Sequence, residues 1–335
     1  MLSPILAFRP ARVAERLGRR SEACALAPTD LVGPAAGLGL ALPVVRASAA
    51  PVARGALVAA KELLAPIGLS LPPGLAPDRW FDAVTGAADE VAAGLPIFLS
   101  GEVVVEGEAP NQVEQAREQV WALVDGGVTH VAIDAGQVSA AQRARVLAEL
   151  AEATTERGVA LDVVLDLAQA TGRASRAVVV LGELRRARIV PAIVSVRCPA
   201  APDGEAARAQ AGALGRLAEA LGGLPLMRRG PLGDALCSVL AGGPVRLVED
   251  GGAAEDAALG VLPADAGPQA SAGAGHRGES RLAHAAEGLA GEMVDRMEAR
   301  AYLETTALLE RLGLAGSAPR LARALMRRLE RPDRR

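Results

Sequence analysis

Lysine is almost missing from this chain. Lys61 is the only one, and arginine fills every other strongly basic position. An enzyme that forms an imine needs a lysine amine at the reacting carbon. Lys61 lies in the helix-like stretch VARGALVAAKELL, far from any strand end, so imine chemistry is not expected. Aromatic residues make up only 2% of the chain, whereas hydrophobic residues make up 50%. The core must therefore be built from Ala, Val and Leu. The cysteines, Cys24, Cys198 and Cys237, are scattered and odd in number, which argues against a disulfide frame and for reduced thiols in a cytoplasm. No apolar run approaches the roughly 20 residues that span a bilayer. The opening MLSPILAFRPARVAERLGRR lacks the order of a secretory signal, so no membrane association is expected. With a formal net charge of −3, no overall basic field favours nucleic acid.

What the chain does have is an alternation. Eight short apolar runs each lead to a polar residue and then to a helix-like stretch. They end at Arg46, Leu71, Glu102, Asp134, Asp166, Arg197, Arg229 and Asp250. Strands alternating with helices imply a parallel sheet, and eight such units in about 250 residues match a (β/α)8 TIM barrel. The predicted organisation is an N-terminal lead-in helix and connector over 1–39, the barrel over 40–262, a flexible linker over 263–279 and C-terminal helices over 280–335. Within the lead-in, PARVAERLGRR reads as an amphipathic helix and PTDLVGPAAGLGL as a Gly/Pro-rich connector. In the tail, Leu282, Leu289, Met293, Met297 and Leu303 form an apolar stripe, with Leu308 and Leu309 further on. A last helix carries a Ser cap, then Pro319, and ends in a basic cluster that complements its dipole. In a TIM barrel the chemistry sits at the carboxyl ends of the strands, which places the charged run ends in one ring.

The segments LPVVRASAAPVARGALVAAKELLAPIGLSL, GLPIFLSGEVV, DGGVTHVAIDAG, GGLPLMRRGPLG, GGPVRLVEDG and LLERLGLAGSA occur in an order that resembles the class II fructose- and tagatose-bisphosphate aldolases. The resemblance covers roughly 40–165 and 222–318 and implies the barrel, a zinc-type ion held by histidines, an aspartate proton donor and a phosphate-binding glycine loop. LSGEV is also similar to the third strand of the accessory tagatose-bisphosphate aldolase subunits, which support a catalytic partner. Several family positions are altered. The Asp-His of the third strand matches Glu102 and Val103, the His-Gly of the seventh matches Arg229 and Gly230, or Arg228 with a shifted register, and the strand-eight Asn matches Val248. His130 reads as a core strand histidine, His276 lies in a Gly-rich stretch and His284 begins a tail helix. No pair has ligand spacing, and a zinc Lewis acid needs about three protein ligands.

The sequence therefore predicts no cofactor and no metal ligands, with magnesium on Glu102, Asp134, Asp162 and Asp166 as the alternative. The expected ligand-binding residues are Arg46, Arg197, Arg228, Arg229, Gly230 and Gly233, taking a phosphorylated sugar. In the opposing reading these charges pair with the anionic ones, including Glu249 and Asp250, and cap the barrel. Glu102 and Asp134 are the catalytic residues if the protein is active, as a lyase or isomerase. The expected role is a pseudoenzyme acting as an accessory or assembly subunit, with a purely structural scaffold as a further alternative. The expected partners are a second copy of the chain in a two-fold dimer or a catalytic partner protein.

Overall fold

The computed structural model describes residues 4–72, 75–166, 173–240, 242–261 and 291–329. Among the described residues, nine strands form one parallel sheet. They are β1 (Cys24–Ala25), β2 (Leu42–Arg46), β3 (Ile67–Leu71), β4 (Pro96–Val104), β5 (His130–Asp134), β6 (Ala160–Asp166), β7 (Ile193–Arg197), β8 (Leu226–Arg229) and β9 (Val245–Glu249). Strands β2 to β9 pair with their sequence neighbours, and β9 pairs with β2, closing an eight-stranded barrel. Parallel strands covered on both faces need continuous apolar runs, and ALPVVR, PIFLSGE and VTHVAID supply them. Helices α3 (Ala50–Glu62), α4 (Pro77–Val91), α5 (Pro110–Asp125), α6 (Ala140–Arg157), α7 (Arg173–Arg186), α8 (Gly204–Ala220), α9 (Asp234–Leu240) and α10 (Ala253–Leu259) follow the strands in turn. The fold is a (β/α)8 TIM barrel with a C-terminal helical extension, as expected.

The lead-in differs from its sequence reading. Helix α1 (Ala11–Leu17) forms as expected, but PTDLVGPAAG is a helix, α2 (Pro28–Gly37), rather than a connector. Pro28 takes the first helical position, where a missing N–H costs nothing and the fixed φ favours the helix. A short strand, β1, precedes it and pairs with the start of β4. Arg12 donates to the carbonyl oxygens of Val124, at 2.7 Å, and Val128, so α1 is tied to the connection between α5 and β5 at the amino-terminal end of the barrel. Burial pushes the Arg12 guanidinium down to about 10.

The C-terminal helices α11 (Gly291–Arg311) and α12 (Ser317–Leu329) pack on their own barrel. Gly55 of α3 is the crossing point. A Cβ there would overlap the Glu298 carbonyl oxygen and lie 2.9 Å from the Tyr302 amide. Around the crossing, Arg54 Nε pairs with Glu298 Oε1 at 3.2 Å and Tyr302 donates to Glu62 Oε2 at 2.6 Å. The amides of Gly316 and Ala318 donate to the carbonyls of Leu63 and Leu64, both at 2.8 Å. The buried stripe of α11 is Met297, Ala301, Thr305, Leu308 and Leu309. Leu303 is off that stripe and 55% exposed. It lies six residues beyond Met297, about 240° around the helix. Ser317 does not act as a cap, because its hydroxyl has no hydrogen-bond partner. Leu282, Leu289, His276, His284 and the linker 263–279 lie outside the described residues.

Candidate active site

Side chains alternate along each strand, so residues two and four before an inward-facing strand end share the lumen. This parity places Ser100 and Glu102 of β4, His130 and Asp134 of β5, Asp162 of β6, Ser195 and Arg197 of β7, Arg229 of β8 and Glu249 of β9 on the inside. The hydrogen bonds confirm the assignment. From β8, Arg229 reaches β4 and β6, neither of which is its neighbour in the sheet. Its Nη1 lies 3.2 Å from Glu102 Oε2 and 2.7 Å from Glu249 Oε2, its Nη2 lies 3.2 Å from Asp162 Oδ2, and its Nε donates to Ser195 Oγ at 3.0 Å. Such contacts are feasible only across the barrel interior.

Two layers result. In the deeper one Ser100 Oγ and His130 Nδ1 share a hydrogen bond of 2.7 Å. His130 Nε2 lies 3.4 Å from Asp162 Oδ2, and Ser195 donates to that same oxygen. His130 and Asp162 are completely buried. The outer layer is the mouth. There Arg197 donates through Nε to Asp134 Oδ2 at 3.0 Å and through Nη2 to Glu102. Arg46 Nη2 lies 3.7 Å from Glu249 Oε1. The side chains of Arg197 and Arg46 are 40% and 24% exposed, so these two cations meet solvent.

The electrostatics follow from this arrangement. Burial alone would raise the Glu102 carboxyl, but Arg229, Arg197 and Arg46 outweigh it and hold the group below its ordinary range. Burial would likewise raise Asp162, and the His130 imidazole 3.4 Å away, Arg229 and the Ser195 hydrogen bond reverse the sign. Burial would lower Arg229, yet Glu249, Glu102 and Asp162 hold it firmly charged. The carboxylates and arginines of the lumen thus hold one another charged, while His130 Nε2 and Asp162 Oδ1 are buried without a hydrogen bond.

The expected ligand residues divide accordingly. Arg46, Arg197 and Arg229 come together as expected. Arg228 does not reach the mouth. It is one residue out of phase with Arg229, so it points outward, where it has no solvent exposure. Its guanidinium donates to the carbonyls of Gly230, Pro231 at 2.7 Å and Pro199 at 3.3 Å, and its Nε donates to Gln210 Oε1 at 3.1 Å. Arg228 thus fixes the loops after β7 and β8 instead of facing a ligand. Gly230 adopts φ +127°, and a Cβ there would overlap the Cys198 carbonyl. Its amide donates to Glu249 O at 3.2 Å, so that N–H already has an acceptor. Gly233 offers its carbonyl to the amides of Leu236 and Cys237 at the start of α9. The backbone of Asp166 ends β6 in register with Arg197.

Two further carboxylates, Asp250 and Glu255, fill positions where an external anion would find amide donors. Asp250 Oδ1 accepts from Gly252 N at 3.0 Å, and Glu255 Oε1 accepts from Ser48 N at 2.9 Å just before α3. Burial pushes Asp250 up from 3.8 to about 6, in spite of the Gly252 hydrogen bond, and Glu249 adds to the rise. A raised carboxyl binds its proton more tightly in the folded state. Its contribution is fully present below the ordinary value and is lost as pH rises toward and through 6. The loss is on the order of 3 kcal/mol, from about two units at 1.36 kcal/mol each. Asp250→Asn keeps an oxygen for the Gly252 amide and removes the titration. Its melting temperature should exceed that of the unchanged protein at pH 8 and match it near pH 4. An equal offset at both values would show that Asp250 does not titrate in this range.

The resemblance implies a zinc-type ion, and the residues do not fit one. The three carboxylates that converge in the lumen are held by the Arg229 guanidinium, and a cation beside it would meet direct repulsion. Among the described residues, no group of three or more His, Cys, Asp or Glu is disposed to hold a metal. Among the described residues, too, no helix is long and apolar enough to cross a membrane. The cysteines form no disulfide; Cys24 and Cys237 are buried and Cys198 is partly so.

The chain matches no protein-family model and no curated protein sequence. Solved structures do match. The YdjI aldolase from Escherichia coli K12 superposes with a TM-score of 0.58 at 12% identity, covering 87% of this chain and 98% of that one. A putative fructose-1,6-biphosphate aldolase from Coccidioides immitis superposes with a TM-score of 0.56 at 17% identity, covering 86% and 96%. At these identities the likeness is one of fold: the chain is built like an aldolase barrel over nearly the full length of both.

Proposed function

We propose that this chain is an aldolase-like barrel without metal-dependent aldol chemistry, a pseudoenzyme that serves as an accessory or assembly subunit. The observation that carries the reading is the Arg229 guanidinium, fully charged at the centre of Glu102, Asp162 and Glu249. A Lewis acid needs open coordination and an electron-pair donor set. Here the donors are already paired with a cation that can accept no ligand. The carboxylates that could act as acid or base, Glu102 and Asp134, are both held by Arg197. A phosphorylated sugar remains the proposed ligand of the mouth, with Arg46 and Arg197 as its contacts. It must displace Glu249 or Asp134 to bind, which sets a modest affinity.

Four measurements test this reading on the purified protein. Elemental analysis should find no stoichiometric zinc, and chelator should leave the melting temperature unchanged. Aldol cleavage of sugar bisphosphates should stay at background. Zinc at about one per chain together with turnover would overturn the pseudoenzyme reading. Turnover without metal, lost in Glu102→Gln, would favour a lyase acting through Glu102 and Asp134 instead. A sugar phosphate at 100 times its dissociation constant should add about 2.7 kcal/mol to stability. Arg46→Ala combined with Arg197→Ala should remove that gain, while absence of any shift at millimolar concentration would leave a scaffold role alone.

A further inference from the structure

Among the described residues six large apolar side chains are exposed, and three of them lie on α7 or just after it. Val178 is 45% exposed, Val179 55% and Val190 71%. Single apolar residues scattered over a surface need no explanation, whereas a cluster marks a contact. At about 100° per residue, Val178, Val179, Gly182, Arg185 and Arg186 share the outer face of α7, opposite the buried Val180, Leu181 and Leu184. Gly182 lies at the middle of that face, and a Cβ there would meet nothing within 4 Å. The packing of the chain therefore does not call for a glycine here, and both glycine and valine weaken a helix that stands free. Beside this face, Val179, Val180 and Glu183 line a groove of about 290 Å³ together with Ala140 and Arg143 of α6. Arg143 is held in place by the carbonyls of Ala135, at 3.1 Å, and Val138, at 2.9 Å. Arg185, Arg186 and Arg188 are exposed and form no ion pair among the described residues. The only carboxylate in α7 is Glu183.

We propose that the outer face of α7, with the groove between α6 and α7, docks an acidic amphipathic helix of a partner protein. The inference rests on the accessory-subunit reading above and adds the surface and the chemistry of the partner. An apolar side chain of the incoming helix enters the groove beside Val179. The two helices cross at Gly182, where the missing side chain allows close approach. Carboxylates flanking the apolar stripe meet Arg185 and Arg186, in the manner of other helix-in-groove contacts. A second copy of this chain would bring the same excess of arginine to both sides, so charge favours a different partner. Exposed valines give a nucleobase no ring to stack on, which disfavours nucleic acid.

The test uses the full chain and a labelled, designed helical peptide as probe, with leucines along one face and glutamates flanking them. Fluorescence anisotropy should show it binding at least tenfold more tightly than the same peptide with lysine in place of every glutamate, and added salt should weaken it. Val179→Asp should weaken binding at least tenfold, and so should Arg185→Glu combined with Arg186→Glu. These positions are exposed, so the melting temperature should stay unchanged. Gly182→Ala separates docking from folding: it should raise the melting temperature and still weaken binding. Equal binding of the acidic and basic peptides, no binding of either, or full affinity in all three variants would overturn the docking face. A single-stranded RNA that binds as tightly as the acidic peptide and is lost in the same variants would assign the face to nucleic acid and overturn it too. So would a self-associated full chain that Val179→Asp makes monomeric, since a second copy would then cover the face. Zinc with aldol turnover would sink the pseudoenzyme reading and leave peptide binding as measured, so the two failures are distinguishable.

Discussion

Replacing Arg229 by Ala should lower the stability of the fold by about 3–5 kcal/mol, the usual cost of leaving a buried ion pair without one partner. Three features place the effect at the upper end. The guanidinium is almost completely buried, it serves three carboxylates on three different strands, and Ser195 loses a donor as well. Removing it leaves buried Asp162 without an arginine and leaves Glu102 and Glu249 with only the outer cations Arg197 and Arg46. The carboxylates would respond by taking up protons. Glu102 and Asp162, now held below the ordinary carboxylate range, should rise above it. In the unaltered protein their stabilising contribution is present at neutral pH and is lost as pH falls through their depressed folded values. In Arg229→Ala that dependence should reverse, so the variant should gain stability on acidification toward pH 5. Denaturant melts at pH 5 and pH 8 measure both effects. A variant within 1 kcal/mol of the original at pH 8 would show that the lumen network contributes little. Arg229→Lys should recover only part of the loss, since an ammonium is a single point and cannot span three carboxylates as a planar fork does.

Much of this site was legible as a list of strand ends. The runs end where the strands end at Arg46, Leu71, Asp134, Asp166, Arg197 and Arg229. The physical reason is that a parallel strand buried on both faces must stay apolar until it reaches the mouth. The deeper layer was legible in principle through parity. His130 and Asp162 lie four residues before Asp134 and Asp166, and Ser195 and Ser100 lie two before Arg197 and Glu102. His130 therefore shares the inward face with Asp134, and Ser195 and Ser100 share it with Arg197 and Glu102. Read singly, they look like polar interruptions of apolar runs. Parity also separates Arg228 from Arg229, but only once the inward phase of β8 is known, and Arg-Arg at a strand end does not announce which one faces in. Helix α2 was hidden by punctuation, since the prolines and glycines of PTDLVGPAAG are also what a connector is made of. Pairing of Glu255 with a backbone amide was not legible at all. It depends on barrel closure of β9 against β2, which brings α10 beside the residues just before α3, although Ser48 and Glu255 are 207 residues apart.

Deleting residues 280–335 should leave a barrel that is poorly soluble and that no longer melts cooperatively. The described tail buries Met297, Leu308, Leu309, Leu312, Leu314, Leu321 and Leu325, each no more than 5% exposed. Full burial of such a side chain contributes about 1.5–3 kcal/mol. Their sum is on the order of 10 kcal/mol before the entropy of ordering two helices is subtracted, comparable with the roughly 5–15 kcal/mol of a whole domain. The loss is two-sided. Deletion also exposes the small-residue face of α3 around Gly55, which is shaped to accept a helix at backbone contact, and an exposed apolar strip of that length promotes aggregation. A milder test keeps the tail in place. Gly55→Ala sets a methyl against the Glu298 carbonyl, and because that oxygen belongs to a helix backbone it cannot move alone. The whole of α11 must shift, at about 1–3 kcal/mol for overpacking. Light scattering on the full chain tests the expected two-fold dimer, and the same measurement after deletion asks whether the tail supports it. A deletion product that stays soluble, keeps its melting temperature and scatters as the full chain does would make the tail an appendage and remove it from both folding and assembly.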